Sequence, residues 1–246
     1  MIGKIEKLLN MDDYDLEAVF TPTIVNMLIL NIIFTRTFLF VTENIVWWNT
    51  ILAIVAPLAA SVVITRFIMH FFRGVSRIVF EDALYRKDRL YFPTTSMLLL
   101  GDNSTGISQI MKKRVRDDLK SVYNITLLTK AKEDTDEMEA RRTAKDAVAL
   151  IRKKVADKHD VMTRRKLKRY GMFRNFLGGA ALCFPFSIVC WGFDFSHKGT
   201  SDPIILTILL LYLLIVVIDF FITKSAAIDY AETLITTFDK LNHDEA

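Results

Sequence analysis

"PIILTILLLYLLIVVIDFFIT", residues Pro203 to Thr223, contains one charged side chain, Asp219, in 21 positions. At 1.5 Å per residue a helix of this length covers about 30 Å, the thickness of a bilayer's hydrocarbon core. Nothing but a membrane or a deep protein interior accepts such a segment, so it reads as a transmembrane helix. Three more segments have similar character: Thr21–Val41, Trp48–Phe72 and Phe176–Phe195. The first of these carries Asn26, Asn31 and Arg36, and the last carries Gly178, Gly179 and Pro185. Overall the chain is 52% hydrophobic, little above a soluble domain. It is the clustering of apolar residues that decides the class. The expectation is an all-α membrane protein with four transmembrane helices and a mainly helical, basic cytosolic domain between spans two and three. The first span starts after the acidic stretch Met11–Glu17 and has no small-residue cleavage site behind it, so it is not read as a signal peptide.

Charge gives the orientation. Of the 32 Lys and Arg residues, 25 lie between Arg73 and Arg174, whereas Thr42–Trp47 has none and Ser196–Asp202 only Lys198. Basic segments stay cytoplasmic, which places both termini and the centre inside, in a cytoplasmic (inner) membrane. Trp47, Trp48 and Trp191 then share the outer interface, where aromatic rings with one polar edge settle. The resulting division is 1–20 (amphipathic cytoplasmic segment), 21–72 (spans one and two), 73–174 (basic cytosolic domain), 175–223 (spans three and four) and 224–246 (amphipathic C-terminal helix). The apolar stripes of the two tails, Ile5, Leu8, Leu9, Leu16 and Val19 in one and Ala227 to Leu241 in the other, are read as packing on the central domain or on a neighbouring subunit.

The central region has 14 Asp and Glu against its 25 cations. Ile107, Met111, Val115, Leu119 and Val122 recur at helical spacing, with Lys112, Lys113, Arg114, Arg116 and Lys120 around them. A second helix is expected to start in the acidic stretch Glu133–Ala140, whose carboxylates suit a positive helix N-terminus. A third basic run, Arg164–Arg174, leads into span three. The stretch RLYFPTTSMLLL (Arg89–Leu100) reads as extended because of Pro93.

Gly101 and Gly106 form a G-x-x-x-x-G loop after an apolar run, as in a phosphate-binding loop, but Ile107 and Ser108 follow where that motif needs Lys and then Ser or Thr. Nucleotide hydrolysis is therefore not expected. Two readings are open: a turn in which Ser104, Thr105 or Ser108 caps the next helix, or a helix N-terminus that holds an anion. The cations of that helix are likewise either a solvated face or, together with Ser104 and Thr105, a polyanion site.

Cys183 and Cys190 are seven residues apart, about 10 Å along one helix face, too far to bond with each other. Four scattered histidines, His70, His159, His197 and His243, give no zinc spacing. No nucleophile–base pair or cofactor motif is visible, so neither an enzyme nor a cofactor is expected. The charges inside the spans are Arg36, Arg66, Asp194 and Asp219. Such groups are expensive in a bilayer and are usually paired or face water. By depth Arg66 matches Asp219 and Arg36 matches Asp194, so the alternatives are two ion pairs or snorkelling of each arginine to its headgroup layer.

The layout of four spans, the basic centre Arg73–Arg174 and cytoplasmic tails resembles the small membrane effectors of bacterial anti-phage operons: the membrane-channel effector of the Hailong system first, the four-span membrane subunit of the Kiwa system second. The resemblance implies a homo-oligomeric, by analogy tetrameric, ion channel. Short single-stranded DNA or a nucleotide messenger would control it, a signalling enzyme of the same operon would be its cytosolic partner, and depolarisation would be its output. It assigns no residue roles. A membrane scaffold or sensor that recruits a cytosolic partner, or a small transporter, are the alternatives; the spans show no internal repeat that would favour the last.

Overall fold

A computed structural model describes residues 12–38, 61–102, 106–200 and 202–243. Among these the regular elements are helical and no strand occurs. The longer helices are α1 (Thr21–Phe38), α2 (Ser61–Ser76), α4 (Gln109–Tyr123), α6 (Glu137–Asp157), α7 (Val161–Lys198) and α8 (Pro203–His243), with α3 (Pro93–Ser96) and α5 (Lys130–Thr135) as short turns between them. Three helical stretches are long and apolar enough to cross a membrane: Asp13–Thr37, Val161–His197 and Pro203–His243. Of the expected second span only the part within α2 is described; Trp47 and the residues from Trp48 to residue 60 lie outside the described residues.

Several boundaries differ from the expectation. Span three and the basic run before it are one helix, α7. Span four and the C-terminal amphipathic stretch are likewise one helix, α8. Neither Arg174 nor Thr223–Lys224 brings a glycine, proline or capping group that would stop propagation, and each added residue gains a backbone bond. Arg89–Leu100 is not extended. Pro93 begins α3, where its missing N–H costs nothing, and Phe92 before it keeps the extended backbone that a following proline imposes. Helix α4 starts where Ser108 accepts the Met111 N–H at 3.2 Å, and it stops at Asn124 in the left-handed region, φ 56°. In α6 the Asp136 carboxylate accepts the Glu139 N–H at 3.1 Å, with Glu137 and Glu139 in the first turn.

The chain divides into two compact units, Met1–Phe80 with Gly171–Ile222, and Glu81–Tyr170 with Thr223–Ala246. In the first, α7 meets its neighbours through small residues. A Cβ on Gly178 would stand 2.6 Å from the Ser76 Cα, and one on Gly171 would stand 3.0 Å from the Ala18 Cβ. Close backbone approach of this kind holds membrane helices together where hydrophobic burial offers no gain. Between the two glycines, Asn175 Nδ2 donates to the Ala18 carbonyl at 2.6 Å. Ile33, Phe72, Ala180, Tyr212 and the free thiols Cys183 and Cys190 form a buried cluster. Three buried hydroxyls are satisfied within their own helices, Thr23 on Val19 O, Ser76 on Phe72 O and Ser187 on Cys183 O, as a low-dielectric surrounding favours.

The core of the second unit includes Met97, Leu98, Val115, Leu119, Ala144, Val148, Ile151, Leu234 and Phe238, all buried. Tyr85, Phe92 and Tyr170 stack edge to face, with ring centroids 5.0 and 5.6 Å apart. Here the C-terminal half of α8 packs on α4, Phe238 lying 6.2 Å from Tyr123.

Candidate functional site

The glycine loop and the basic helix α4 belong together in the second unit, but not as an open anion site. Lys112 is 1% exposed, and its ammonium donates to the carbonyls of Leu99, at 3.0 Å, and Asp102. Burial pulls its pKa below the ordinary value, against the opposing pull of the Asp102 and Glu133 carboxylates. Arg116 donates to Glu133 Oε1 at 2.6 Å, to Leu98 O at 2.8 Å and to Leu128 O. Glu133 in turn accepts the Gly101 N–H at 3.0 Å. The first glycine of the motif thus already holds an anion, and that anion is the protein's own.

Next to Gly101 lies a cavity of about 520 Å³ lined by Leu99, Gly101, Asp102, Glu133, Asp134, Glu137 and Arg141. Four carboxylates against one guanidinium repel a phosphate. Arg141 is itself held by Glu137 Oε1 at 2.7 Å and Ser96 Oγ at 3.1 Å, and its guanidinium carbon lies 3.9 Å from the centre of the Tyr91 ring. The bond from Arg141 keeps the Glu137 carboxyl below its usual range.

The five cations expected on one basic face therefore separate. Lys112 and Arg116 are internal struts, which corrects their reading as solvated or ligand-facing groups. Arg114 is clamped by two bonds to Asp239, one of them from Nε to Oδ1 at 2.6 Å, and this hydrogen-bonded carboxylate raises its pKa. Lys113 and Lys120, seven residues apart, are exposed. Ser104 and Thr105 lie outside the described residues. Ser108 is the cap.

Sequence reasoning missed one grouping because its members are far apart in the chain. Asp118, Asp239 and His243 bring ligand-type atoms within 4.8 Å of one another. Asp239 already carries the Arg114 guanidinium, which opposes a metal cation there.

The charges of the expected spans are arranged differently from the expected pairs. Arg36 lies 3.9 Å from Asp202, not expected as its partner, and the Asp202 N–H donates to Asp194 Oδ2 at 3.0 Å. Asp202 thus stands between the two groups matched by depth. Arg66 is exposed on α2. Asp219 is 5% exposed, faces a separate cavity without a basic side chain in its lining, and its Oδ2 has no hydrogen-bond partner. The expected pairing of Arg66 with Asp219 is not what the structure builds.

Among the described residues these features give an all-helical chain with three helices long and apolar enough to cross a membrane, and an internally charged second unit. No protein-family model, curated protein or solved structure matches the chain.

Proposed function

We propose that the chain is a four-span protein of the cytoplasmic membrane, with both termini inside, that assembles into a homo-oligomeric ion channel controlled by a ligand on its cytosolic helices. The observation that carries this reading is the uncovered apolar surface of α8. Only 17% of its most apolar window is buried within the chain. Leu210, Leu214, Val217 and Phe221, spaced as one helix face, are 51–65% exposed. Lipid or a second copy must cover such a face. Four spans of one chain enclose little space, so a pore requires several copies around an axis. The anti-phage effector resemblance supplies the rest: a nucleotide or short single-stranded DNA as the trigger, and depolarisation as the output. Within that proposal the polyanion contacts fall on Lys113 and Lys120, since the other cations of α4 are engaged.

The test is ion flux from liposomes holding the purified full chain. Flux on adding short single-stranded DNA or a nucleotide supports the channel. No flux with any such probe overturns it and favours a membrane scaffold that recruits a cytosolic partner. The specific observation behind that second reading is the internal engagement of Lys112, Arg114 and Arg116, which shrinks the surface left for a polyanion.

A further inference from the structure

The first unit contains a cavity of about 410 Å³ whose lining includes Val25 of α1, Phe173 and Phe176 of α7, and Ile215, Ile218 and Asp219 of α8. All of its lining residues other than Asp219 and Thr21 are apolar. Its size is that of a small-molecule site. Into this wall α8 places one carboxyl group, buried at 5% exposure, with Oδ2 accepting no hydrogen bond. An acidic group among apolar walls is costly, and Leu or Ile would fill the same place without that cost. Thr23, Ser76 and Ser187 of the same unit donate to carbonyls four residues back, but a carboxylate needs a donor, and the helix backbone four residues back offers only a carbonyl. No basic side chain lines the cavity to supply a counter-charge.

We propose that this cavity is a binding site for an amphiphilic monocation: a protonated amine or quaternary ammonium on an apolar or aromatic body, with its charge against Asp219. The charge explains the carboxylate, and the apolar walls explain why the charge must ride on a hydrophobic body. Phe173 and Phe176 also line the cavity, and aromatic rings attract the same kind of cation. Inorganic cations fit poorly, because the walls provide too few oxygens to replace their hydration shells. The site rests on Asp219 and its cavity alone, so it stands whether or not the protein conducts ions.

The experiment is equilibrium binding of labelled tetraphenylphosphonium to the purified full chain in mild detergent. The parent is expected to bind saturably, with displacement by dodecyltrimethylammonium and not by dodecanol. Asp219→Asn should weaken binding at least about tenfold, a difference of about 1.4 kcal/mol, while Asp219→Glu should stay within a few-fold of the parent. Ile218→Trp keeps the carboxylate and fills the cavity, so it should also abolish binding, with folding of each variant checked by gel filtration. The ammonium of phosphatidylethanolamine shares this chemistry: displacement by its short-chain form assigns a lipid headgroup as the natural source, and failure to displace assigns a free amphiphilic amine. No saturable binding by the parent, or equal binding by a folded Asp219→Asn variant, overturns the proposal.

Discussion

Replacing Arg116 by Ala should destabilise the second unit more than any change to an exposed cation of α4. The Arg116 side chain is 10% exposed and that of Glu133 is 5% exposed, so solvent screens their 2.6 Å contact little. Removal of the guanidinium leaves Glu133 ionised beside Gly101 with one N–H donor, and leaves Leu98 O and Leu128 O without this donor. Truncating one partner of a buried pair costs roughly 3–5 kcal/mol, most of it from the charge left behind. At about 2–4 °C per kcal/mol for a chain of this size, the thermal midpoint should fall by about 10 °C. The assay is far-UV circular dichroism of the full chain in detergent, with limited trypsin digestion to locate the loosened part. The double variant Arg116→Met, Glu133→Gln removes both charges while the glutamine oxygen still accepts from Gly101, so it should recover at least half of the loss. An Arg116→Ala midpoint within about 2 °C of the parent would refute the strut assignment. A double variant no better than the single one would refute the charge argument even if the arginine matters for packing.

Gly178→Ala sets a Cβ 2.6 Å from the Ser76 Cα; overpacking of this kind costs about 1–3 kcal/mol, and the loss should show as a lower thermal midpoint and earlier aggregation in detergent, with Gly192→Ala, which meets nothing within 4 Å, as the unchanged control. Glu137 titrates below its ordinary 4.5 in the folded chain because Arg141 bonds its charged form, so its contribution is present above that pH and fades as pH falls through the folded value. Its side chain is 53% exposed, so Glu137→Gln should cost about 0.5 kcal/mol at neutral pH, with parent and variant melting together in acid; a constant gap across pH would contradict the linkage. Changing Lys113 and Lys120 to Glu should weaken short single-stranded DNA binding and flatten its salt dependence, because each phosphate contact contributes about 0.7 to the log–log slope; identical slopes for parent and variant would remove α4 from the ligand site.

The helix starts of the second unit were legible because their signals are local. Ser108 stands three residues before Met111, and Asp136 three before Glu139, which is the spacing a side-chain cap needs. The burial of Lys112 and Arg116 was not, although the spacing contained it. Positions 112, 115, 116 and 119 form one helix face, and the structure buries all four with little remaining exposure, while Ile110 is 78% and Val122 57% exposed. Counting only apolar residues rotated the predicted face toward Val122 and sent two struts to solvent. What makes the burial affordable is Glu133, 17 residues after Arg116, and the carbonyls of Leu98, Leu99 and Asp102, which only the folded loop brings to the cations. A basic sequence is therefore not the same as a basic surface.

For the charges of the expected spans, the structure changes the partners that the depth count suggested. Counting 1.5 Å per residue from the apolar ends placed Arg36 and Asp194 at one level, and the structure links that neighbourhood through Asp202, a residue that the sequence assigned to the connecting loop. A loop carboxylate can approach an arginine at a span's end without entering hydrocarbon, so it satisfies the charge at lower desolvation cost than Asp194 from inside a helix. The same reasoning separates Asp219. It lies level with Thr21 and Met172, whose residues share its cavity, and no loop carries a cation into that lining. Rotation about the helix axis, which each residue changes by 100°, decides which of two groups at one depth can meet. Sequence distance gives the position along a helix, but it fixes rotation only when a whole apolar stripe is available to orient the helix, and the Pro203–Thr223 part of α8 is apolar on nearly every side. A carboxylate on such a helix has an unreadable bearing until its neighbours are known, and here its neighbours are hydrocarbon walls around an open space.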